Sequence, residues 1–232
     1  MRDLIDHYEN DYYAEPGELR PWLLLTGRDK AANVRELWTG QPPVSVADIG
    51  CGDGAVLVHL DRAGFGQTYT GFEISASAIA LAEETEFRRP ARFIAFDGIS
   101  LPADDREFDL AVVSHVVEHA ADPRGLVAEA ARIAKWVFIE VPLELNARTP
   151  HDFAWDDLGH INLFNAKILR HLVQSVGLDV IAERVTLPGR DVSVHQHGSY
   201  VGLLHWTIKR SALAARVGTR LFTYHGSILA TH

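Results

Sequence analysis

Three glycines at alternate positions, with carboxylates beside them, are the first residues whose types and spacing could bind a ligand. In the stretch VADIGCGDG, Gly50, Gly52 and Gly54 follow an apolar run, with Asp48 before them and Asp53 between the last two. Because glycine has no Cβ atom, the chain can turn tightly and a ligand can lie directly on the backbone amides. The nearby carboxylates would repel a pyrophosphate but tolerate a cation. The pattern therefore favours a cationic ligand, with a plain tight turn as the alternative.

Two further carboxylates stand at the ends of the apolar runs that follow. Glu73 closes the run in YTGFEIS, and Asp97 closes the run in FIAFDG. An acid at the equivalent strand end of nucleotide-binding folds accepts ribose hydroxyls, so we assign Glu73 to a ribose and Asp97 to an adenine amino group. Each alone is also consistent with a surface cap. Taken together, a nucleoside and a cationic sulfonium describe S-adenosylmethionine.

A third group of residues has the spacing of metal ligands. His115, Glu118 and His119 in SHVVEHAADP lie at i, i+3 and i+4, so one helical turn brings them to one side. Farther along, His160 in GHINLF precedes a predicted helix. Without a metal, His115 or His119 could act as a general base, and His151 is a weaker candidate for that role. A helix cap or simple packing is the alternative interpretation.

These residues need elements that present them at one edge of a fold. From Val44 onward, short apolar runs alternate with helical stretches, which predicts parallel strands with helices on both faces of the sheet. The expected class is α/β and doubly wound, with ligands beyond the carboxyl ends of the strands. The predicted strands are VSVADI, QTYTGFEI, ARFIAFD, FDLAVVSH, KWVFIEVPL, LDVIAERV and, to close the sheet, SYVGLLHWTIKR.

The chain is expected to have three parts. Residues 1–43 predict an N-terminal helical lid or extension, residues 44–210 the ligand-binding domain, and residues 211–232 a C-terminal helical extension. Two long loops, Glu144–Asn162 and Pro188–Ser199, interrupt the central part, and loops of this length are usually functional. We expect these loops and the N-terminal aromatic residues to select the second substrate.

Composition and charge exclude several classes of protein. The 31 acidic residues outnumber the 22 lysines and arginines, and the resulting net charge of −9 would repel a nucleic acid. No apolar run reaches the roughly 18 residues that a membrane-spanning helix needs. The acidic, aromatic N-terminus does not resemble a signal peptide, and the single cysteine, Cys51, excludes an intrachain disulfide. We therefore expect a cytoplasmic protein with neither a nucleic-acid nor a membrane partner.

The segments DIGCGDG, FEIS, AFDG and FDLAVVSHVVEHAADP together resemble the class I S-adenosylmethionine-dependent methyltransferases over roughly residues 44–187. The resemblance implies a Rossmann-like fold with seven strands and S-adenosyl-L-methionine as the methyl donor. Within the glycine turn, Cys51 is expected to pack under the cofactor rather than to act as a nucleophile. The residues assigned to the cofactor are Asp48, Gly50, Cys51, Gly52, Gly54, Glu73, Ile74, Asp97, Gly98, Ser114 and Tyr13.

The Glu-His turn together with GHINLF is similar to the metal-dependent 2′-O-methyltransferases that act on small RNA ends. The Glu-His turn alone is also similar to the ubiquinone-biosynthesis O-methyltransferases. The first similarity implies a divalent metal, magnesium or manganese, held by His115, Glu118, His119 and His160. The sequence departs from that family at His115, where the family has glutamate. Because magnesium prefers oxygen ligands, either the metal is softer or His115 is not a ligand.

The resemblance implies an enzyme, an O-methyltransferase with a small hydroxylated acceptor. A saccharide or glycoside is the first expectation, as for the mycobacterial enzymes that methylate a mannoside during methylmannose polysaccharide synthesis. Small phenols and natural products come next. A metal-independent O- or N-methyltransferase and a non-catalytic S-adenosylmethionine-binding module are the alternatives. A homodimer is compatible with the sequence.

Overall fold

The computed structural model of the protein describes residues 16–150, 152–153 and 159–232. None of the helices within these ranges is long and apolar enough to cross a membrane. The helices are α1 (Pro16–Leu37), α2 (Ala55–Arg62), α3 (Ala76–Glu83), α4 (Pro123–Ile133), α5 (Ala166–Ser175), α6 (Arg190–His197) and α7 (Ser199–Ala214), with a 3₁₀ helix at Gly218–Arg220. The strands are β1 (Ser45–Ile49), β2 (Thr68–Glu73), β3 (Ala91–Ala95), β4 (Phe108–Ser114), β5 (Ala134–Pro142), β6 (Asp179–Thr186) and β7 (His225–Thr231).

Within the described ranges, the strands form one seven-stranded sheet in the order β3-β2-β1-β4-β5-β7-β6. The first five strands of this order pair in parallel, and β7 runs antiparallel between β5 and β6. The chain proceeds from β1 to β2 on one side and later to β4 on the other, so a crevice opens at the carboxyl ends of these strands. The predicted seven-stranded, doubly wound fold is confirmed, with the correction that β7 makes the sheet mixed.

Both faces of the sheet carry a core, because alternate residues of a buried strand point to opposite faces. In β4, Val113 lies in the cluster that includes residues of α4 and α5. Its neighbours in that strand, Leu110 and Val112, lie in the cluster that includes residues of α1 and α2. The near-continuous apolar sequence of this strand follows from burial on both faces.

The starts of the helices differ in a way that matters for ligand binding. Ser75, Asp122 and Asn165 cap α3, α4 and α5, and each side chain accepts a hydrogen bond from a backbone amide of the first turn. The helix α2 instead begins after Gly54, which has a left-handed backbone and no side chain to cap the helix. Oδ1 of Asp53 accepts the amide of Ala55 at 3.2 Å, and no N-cap side chain covers the rest of the amino end of α2, beside the glycine turn.

The C-terminal part of the chain differs from the prediction in three places. The expected loop Pro188–Ser199 contains α6, and the strand expected over residues 199–210 is the helix α7. The helical extension expected over residues 211–232 is also wrong. The α-helix ends at Ala214, and His225–Thr231 form β7 inside the same sheet as the preceding strands.

Packing explains why residues 199–210 lie in a helix and why residues 225–231 form a strand. Gly202 lets α7 approach α6 closely, since a Cβ atom there would stand 2.4 Å from the carbonyl oxygen of Ser193. On the same helix, Nε1 of Trp206 donates to the carbonyl oxygen of Pro188 at 3.0 Å. The strand β7 pairs on both sides, so the sheet satisfies its backbone groups and buries its apolar side chains. Tertiary contacts thus override the local pattern.

Candidate functional site

The turn after β1 requires glycine because its backbone passes through left-handed conformations. Gly50, Gly52 and Gly54 have φ angles of 70°, 55° and 78°. A Cβ atom on Gly50 would stand 2.5 Å from Cγ2 of Val116, in the segment after β4. The amide of Gly50 donates to the carbonyl oxygen of Phe72 at 2.7 Å. The turn is therefore fixed between the ends of β2 and β4.

Glu73 ties the end of β2 to this turn. Its Oε2 accepts the amide of Gly52 at 2.8 Å, and its Oε1 accepts the amides of Ile74 and Ser75 at 2.8 and 3.0 Å. The sequence assigned Glu73 to a ribose. The structure adds a second role, since the same carboxylate holds the glycine turn in place.

Asp48 places a buried carboxyl group beside the turn. It is 2% exposed, and its Oδ2 has no hydrogen-bond partner in the part of the chain that the structure describes. Burial raises the pKa of Asp48 to about 8, while the charge of Lys30 lowers it and that of Glu73 raises it. Burial also raises the pKa of Asp53. Such carboxyl groups gain most from a ligand that brings positive charge.

Asp97 lies on the exposed loop after β3. Its Oδ1 accepts the amides of Ser100 and Ile99, both at 2.8 Å, and these hydrogen bonds lower the pKa of Asp97. Gly98 beside it has a φ of 78°. The carboxylate is thus ionised and held by the backbone of its own loop.

A cavity of about 970 Å³ lies at the carboxyl ends of β1, β2, β4 and β5, and Trp22, Thr26 and Lys30 of α1 form part of its wall. Most of the sequence-predicted site residues line it. These are Asp48, Gly50, Cys51, Gly52, Glu73, Ile74, Asp97, Gly98, Ser114, His115, Glu118, His119 and His160. Gly54 is not part of the wall, and Tyr13 and His151 lie outside the described residues.

Cys51 fills space within the glycine turn. Its side chain is buried, and burial together with the charges of Glu73 and Asp48 raises the pKa of the thiol. A Cβ atom on Gly71 of β2 would stand 2.5 Å from the Cys51 sulfur. A protonated thiol packed against a strand is a structural group rather than a nucleophile.

Glu118, His119 and His160 converge on the wall of the cavity. One ligand atom from each lies within 4.8 Å of the other two. Glu118 is fully buried, and neither of its carboxylate oxygens has a hydrogen-bond partner among the described residues. The amides of Ile161 and Asn162 both donate to the carbonyl oxygen of Glu118 at 2.9 Å. This contact brings the loop that carries His160 to the turn after β4.

In both histidines, Nδ1 lies within hydrogen-bond distance of an oxygen atom. Nδ1 of His119 lies 3.1 Å from the carbonyl oxygen of Gly159, and Nδ1 of His160 lies 2.8 Å from Oε2 of Glu144. These contacts favour the tautomer with a proton on Nδ1 and the lone pair on Nε2, the arrangement that metal-binding histidines have. With Glu118, the donor set is two imidazole nitrogens and one carboxylate. That set suits manganese, iron, cobalt or zinc better than magnesium.

His115, the fourth predicted ligand, belongs to a second cluster with Glu140 and His225, whose ligand atoms also lie within 4.8 Å of one another. Its ring stands between two buried carboxylates, with Nδ1 3.3 Å from Oε1 of Glu118 and Nε2 3.5 Å from Oε1 of Glu140. Burial and the charge of Lys30 act to lower the pKa of His115, but the two carboxylates outweigh them and raise it. The sequence placed His115 with the other three ligands, whereas the structure places it beside them.

The second cluster is held rigidly. His115 has a left-handed backbone, with φ at 59°, and its amide donates to the carbonyl oxygen of Glu140 at 2.8 Å. The carboxylate of Glu140 accepts Nδ2 of Asn33 at 2.6 Å, Oγ of Ser227 at 2.7 Å and Oγ of Ser114 at 3.3 Å. Burial alone would raise the pKa of Glu140, but the adjacent histidines and hydrogen bonds lower it to about 2. Glu140 is thus an ionised anchor for the His115 ring.

Sequence reasoning missed three of these residues. Glu140 is a carboxylate inside the apolar run KWVFIEVPL, and a charge in a buried strand needs a partner, so a signal was present. Glu144 stands at the start of a predicted loop, where nothing indicates that it would contact His160. His225 gives no signal, because the sequence predicts a helix where β7 lies.

Comparison with known proteins agrees with this geometry. The family model of the methyltransferase domain matches residues 23–183, from α1 into β6. The ubiquinone biosynthesis O-methyltransferase of Thiobacillus denitrificans is 31% identical over 111 residues, which are 45% of this chain and 46% of that protein. The chain spans about a third to a half of the length of the curated relatives it matches.

Two solved structures show the same fold. A chain of the complex between the Haloferax volcanii Trm112 methyltransferase activator and a methyltransferase has a TM-score of 0.71 and 20% identity, covering 99% of this chain and 98% of that chain. Phosphoethanolamine N-methyltransferase 2 of Haemonchus contortus, in complex with S-adenosyl-L-methionine, has a TM-score of 0.62 and 16% identity, covering 88% of this chain and 52% of that chain. At these identities the likeness concerns the fold.

Proposed function

The chain belongs to the class I S-adenosylmethionine-dependent methyltransferases, and on that premise we propose that it methylates a hydroxyl of a small acceptor with the help of a divalent metal. S-adenosyl-L-methionine supplies a methyl group that its sulfonium already activates, so the protein has to align the acceptor and remove its proton. The observation that carries the proposal is the buried Glu118 carboxylate. It is fully buried and clusters with His119 and His160, and apart from the ion pair of Oε1 with His115 its oxygens accept no hydrogen bond from the described residues.

For the methyl donor, we propose that Asp48 and the glycine turn receive the methionine end, Glu73 the ribose and Asp97 the adenine. The unpartnered Oδ2 of Asp48 supports this placement, because the sulfonium and ammonium of the donor are cations. The bare turn after β1 supports it as well, since a ligand can approach the backbone there without meeting a side chain.

The residues on the acceptor side fit a divalent metal. The fully buried Glu118 carboxylate has one charged neighbour, His115, at 3.3 Å from its Oε1. A cation held by Glu118, His119 and His160 would satisfy the remaining carboxylate oxygen and reduce the cost of burial. A bound metal lowers the pKa of a coordinated hydroxyl and fixes its direction of attack. Manganese suits this donor set better than magnesium. We place His115 outside the ligands, as the residue that positions Glu118, and as the base candidate of the metal-free alternative.

We propose a saccharide or glycoside as the first acceptor class. Polar residues, among them Glu144, Gln196 and Thr223, line part of the cavity wall. The ring of Trp22 also lines it, with the ring of His195 stacked at 5.8 Å. A sugar offers hydroxyls to the polar groups and an apolar face to an aromatic ring. Phenols with a free hydroxyl fit the same description and form the second class.

The test uses the full chain, tritiated S-adenosylmethionine and a panel of sugars, phenols and amines. We expect methyl transfer to a hydroxyl, loss of transfer with EDTA and recovery with Mn²⁺. Glu118→Gln should lower turnover about a hundredfold or more and abolish the bound Mn²⁺ signal in electron paramagnetic resonance, while calorimetry gives unchanged S-adenosylmethionine binding. Glu86→Gln, the same change on an exposed residue, serves as the matched control.

Three outcomes would contradict separate parts of the proposal. Turnover that is indifferent to EDTA and to Glu118→Gln would remove the metal. Label on amines alone would make the protein an N-methyltransferase. Uptake of S-adenosylmethionine without transfer to any acceptor would make it a binding module.

A further inference from the structure

A second, smaller cavity of about 380 Å³ adjoins the first and shares Glu144, Lys209 and Thr223 with it. Three of its residues carry or can carry positive charge: Arg148, His205 and Lys209. The apolar part of its wall comes from Phe153, Leu163, Leu221 and Phe222. The acceptor cavity therefore adjoins a space that combines apolar contact and positive charge.

The positive groups converge because of the helix that carries two of them. His205 and Lys209 are four residues apart on α7, so they lie on one face of the helix. Burial lowers the pKa of the His205 imidazole, and the charges of Lys209, His197 and Arg148 lower it further. Arg148, in the loop after β5, also lines the small cavity. Cations from two separate elements, α7 and the loop after β5, thus line the same small cavity.

These cations have no anionic partner in the structure as described. Lys209 is partly buried, and burial lowers the pKa of its ammonium, with no carboxylate acting on it. Neither Lys209 nor Arg148 forms an ion pair among the described residues, and the one carboxylate on both walls, Glu144, is engaged by His160 at 2.8 Å. A partly buried ammonium is costly without a counter-charge.

Some cations elsewhere in the described chain are held by carboxylates, and others form no ion pair. Arg28, Arg89, Arg132, Lys135 and Arg170 each lie within 3.0 Å of a carboxylate oxygen. What distinguishes Lys209 from the exposed unpaired cations is that its ammonium is partly buried and lines the small cavity together with Arg148. Lys209 also lines the large cavity, beside the proposed acceptor site.

We infer that the acceptor carries an anionic group, a carboxylate or a phosphate, which Lys209 and Arg148 bind while the hydroxyl to be methylated lies in the large cavity. The inference rests on the proposed function and names its substrate class. Glu144 connects the two ends, since it holds His160 in the large cavity and lines the small one. The acceptor is then fixed at both ends, which favours a defined angle of attack.

The alternative is that Lys209 is structural. Its Nζ lies over the ring of Tyr224, 5.4 Å from the centroid, which is a cation–π contact. A purely structural lysine would affect stability and would not distinguish charged from neutral acceptors.

The experiment compares matched probes that differ in one anionic group. Calorimetry of the full chain measures glucose 6-phosphate against glucose, and 3,4-dihydroxybenzoate against catechol, with and without S-adenosylhomocysteine. We expect the anionic member of at least one pair to bind about ten times more tightly. The pair that shows this preference separates phosphate from carboxylate. The preference should shrink as salt is added.

Variants then assign the preference to its residues. Lys209→Met should remove it without changing the affinity for the neutral probe, Lys209→Arg should restore most of it, and Arg148→Gln on the exposed loop should reduce it severalfold. Lys167→Met removes the same charge from the exposed surface of α5 and should leave the preference intact. Equal binding within both pairs, absence of binding by both anionic probes, or a preference that survives Lys209→Met would overturn the inference. S-adenosylmethionine binding and methyl transfer, read in the same variants, report separately on the proposed function.

Discussion

The two sides of the large cavity hold their charges in different ways. On the cofactor side, which comprises Asp48, the glycine turn with Asp53, Glu73 and Asp97, three of the four carboxylates accept hydrogen bonds from backbone amides. On the acceptor side, which comprises the cluster of Glu118, His119 and His160 and the cluster of His115, Glu140 and His225, the charged groups face one another.

This difference predicts how each side responds to substitution. A site built on the backbone depends on φ angles and close approach, so a change in shape at a glycine should damage it. A site built on side-chain contacts depends on which atoms carry protons, so a change of one carboxylate to an amide should alter chemistry and leave cofactor binding intact. The following experiments are arranged to separate the two.

The largest effect is expected for Gly50→Ala. The new methyl group would stand 2.5 Å from Cγ2 of Val116, and alanine would have to adopt a φ of 70°. We expect roughly 2–4 kcal/mol of destabilisation and at least about a hundredfold weaker S-adenosylmethionine binding, measured by urea unfolding and by calorimetry. In the double variant with Val116→Ala, the part of the lost stability and affinity that comes from the collision with Val116 should be recovered.

Gly64→Ala is the matched control for backbone strain. Gly64 has a φ of 71°, but a Cβ atom there would have only Arg89 Nη2 within 4 Å, at 3.9 Å, and the residue is not part of the cavity wall. It should lose about 1 kcal/mol of stability and keep its cofactor affinity. If Gly50→Ala bound the cofactor as well as Gly64→Ala does, the backbone account of the cofactor side would be wrong.

Glu144→Gln should give the next largest effect, on the acceptor side alone. Glu144 accepts or shares the Nδ1 proton of His160 at 2.8 Å, and loss of such a partner typically weakens metal binding by about 10–100-fold. We expect that loss in Mn²⁺ affinity, with turnover following it and S-adenosylmethionine binding unchanged. Glu183→Gln, on an exposed pair with Arg170, is the control. A parallel loss of cofactor affinity would show that the two sides are not separable.

The same contrast explains what the sequence could predict. The glycine turn, Glu73 and Asp97 are local signals, because each lies at the end of a strand whose period is visible in the sequence. The strands β1 to β6 were predictable for that reason. The strand β7 was not predictable, since its place between β5 and β6 is set by pairing with residues 39 to 95 positions away.

The acceptor side depends on such distant pairing. His115, Glu118 and His119 share one segment and could be grouped by spacing, although the left-handed backbone of His115 turns its ring toward Glu140. His225 reaches the same cluster only through β7. The sequence shows which residue types could take part in chemistry. The pairing of strands in the folded protein decides which of these residues come into contact.

Asp48 provides a test of intermediate size, based on pH. Its pKa of about 8 in the folded protein lies above the ordinary value of 3.8, so the folded state holds a proton that the unfolded state has lost between these values. The stability of the ligand-free protein should therefore fall as pH rises from about 4 to 8, by at least about 1 kcal/mol. The stability of Asp48→Asn should change less with pH over this range, and the variant should be more stable than the unsubstituted protein at the upper end of the range.

Cofactor binding supplies the second readout for Asp48. A cation beside the carboxylate lowers its pKa, so S-adenosylmethionine binding at pH 7 should release a proton, detected by calorimetry in buffers of different ionisation enthalpy. Asp48→Asn should bind about ten times more weakly and release no proton. Equal proton release by both proteins would mean that the donor's charge lies elsewhere.

The smallest effect is expected for Asp97→Asn, and it tests whether the cofactor side is set by backbone geometry or by charge. Asn keeps an oxygen that can accept the amides of Ile99 and Ser100, so the loop should hold its shape. Because the position is exposed, loss of the charge should weaken S-adenosylmethionine binding only about threefold. Asp97→Ala removes both hydrogen bonds and should weaken S-adenosylmethionine binding several times more than Asp97→Asn does. If the two variants bound equally, the carboxylate's charge would matter more than the loop it holds, and the contrast between the two sides of the cavity would fail at this residue.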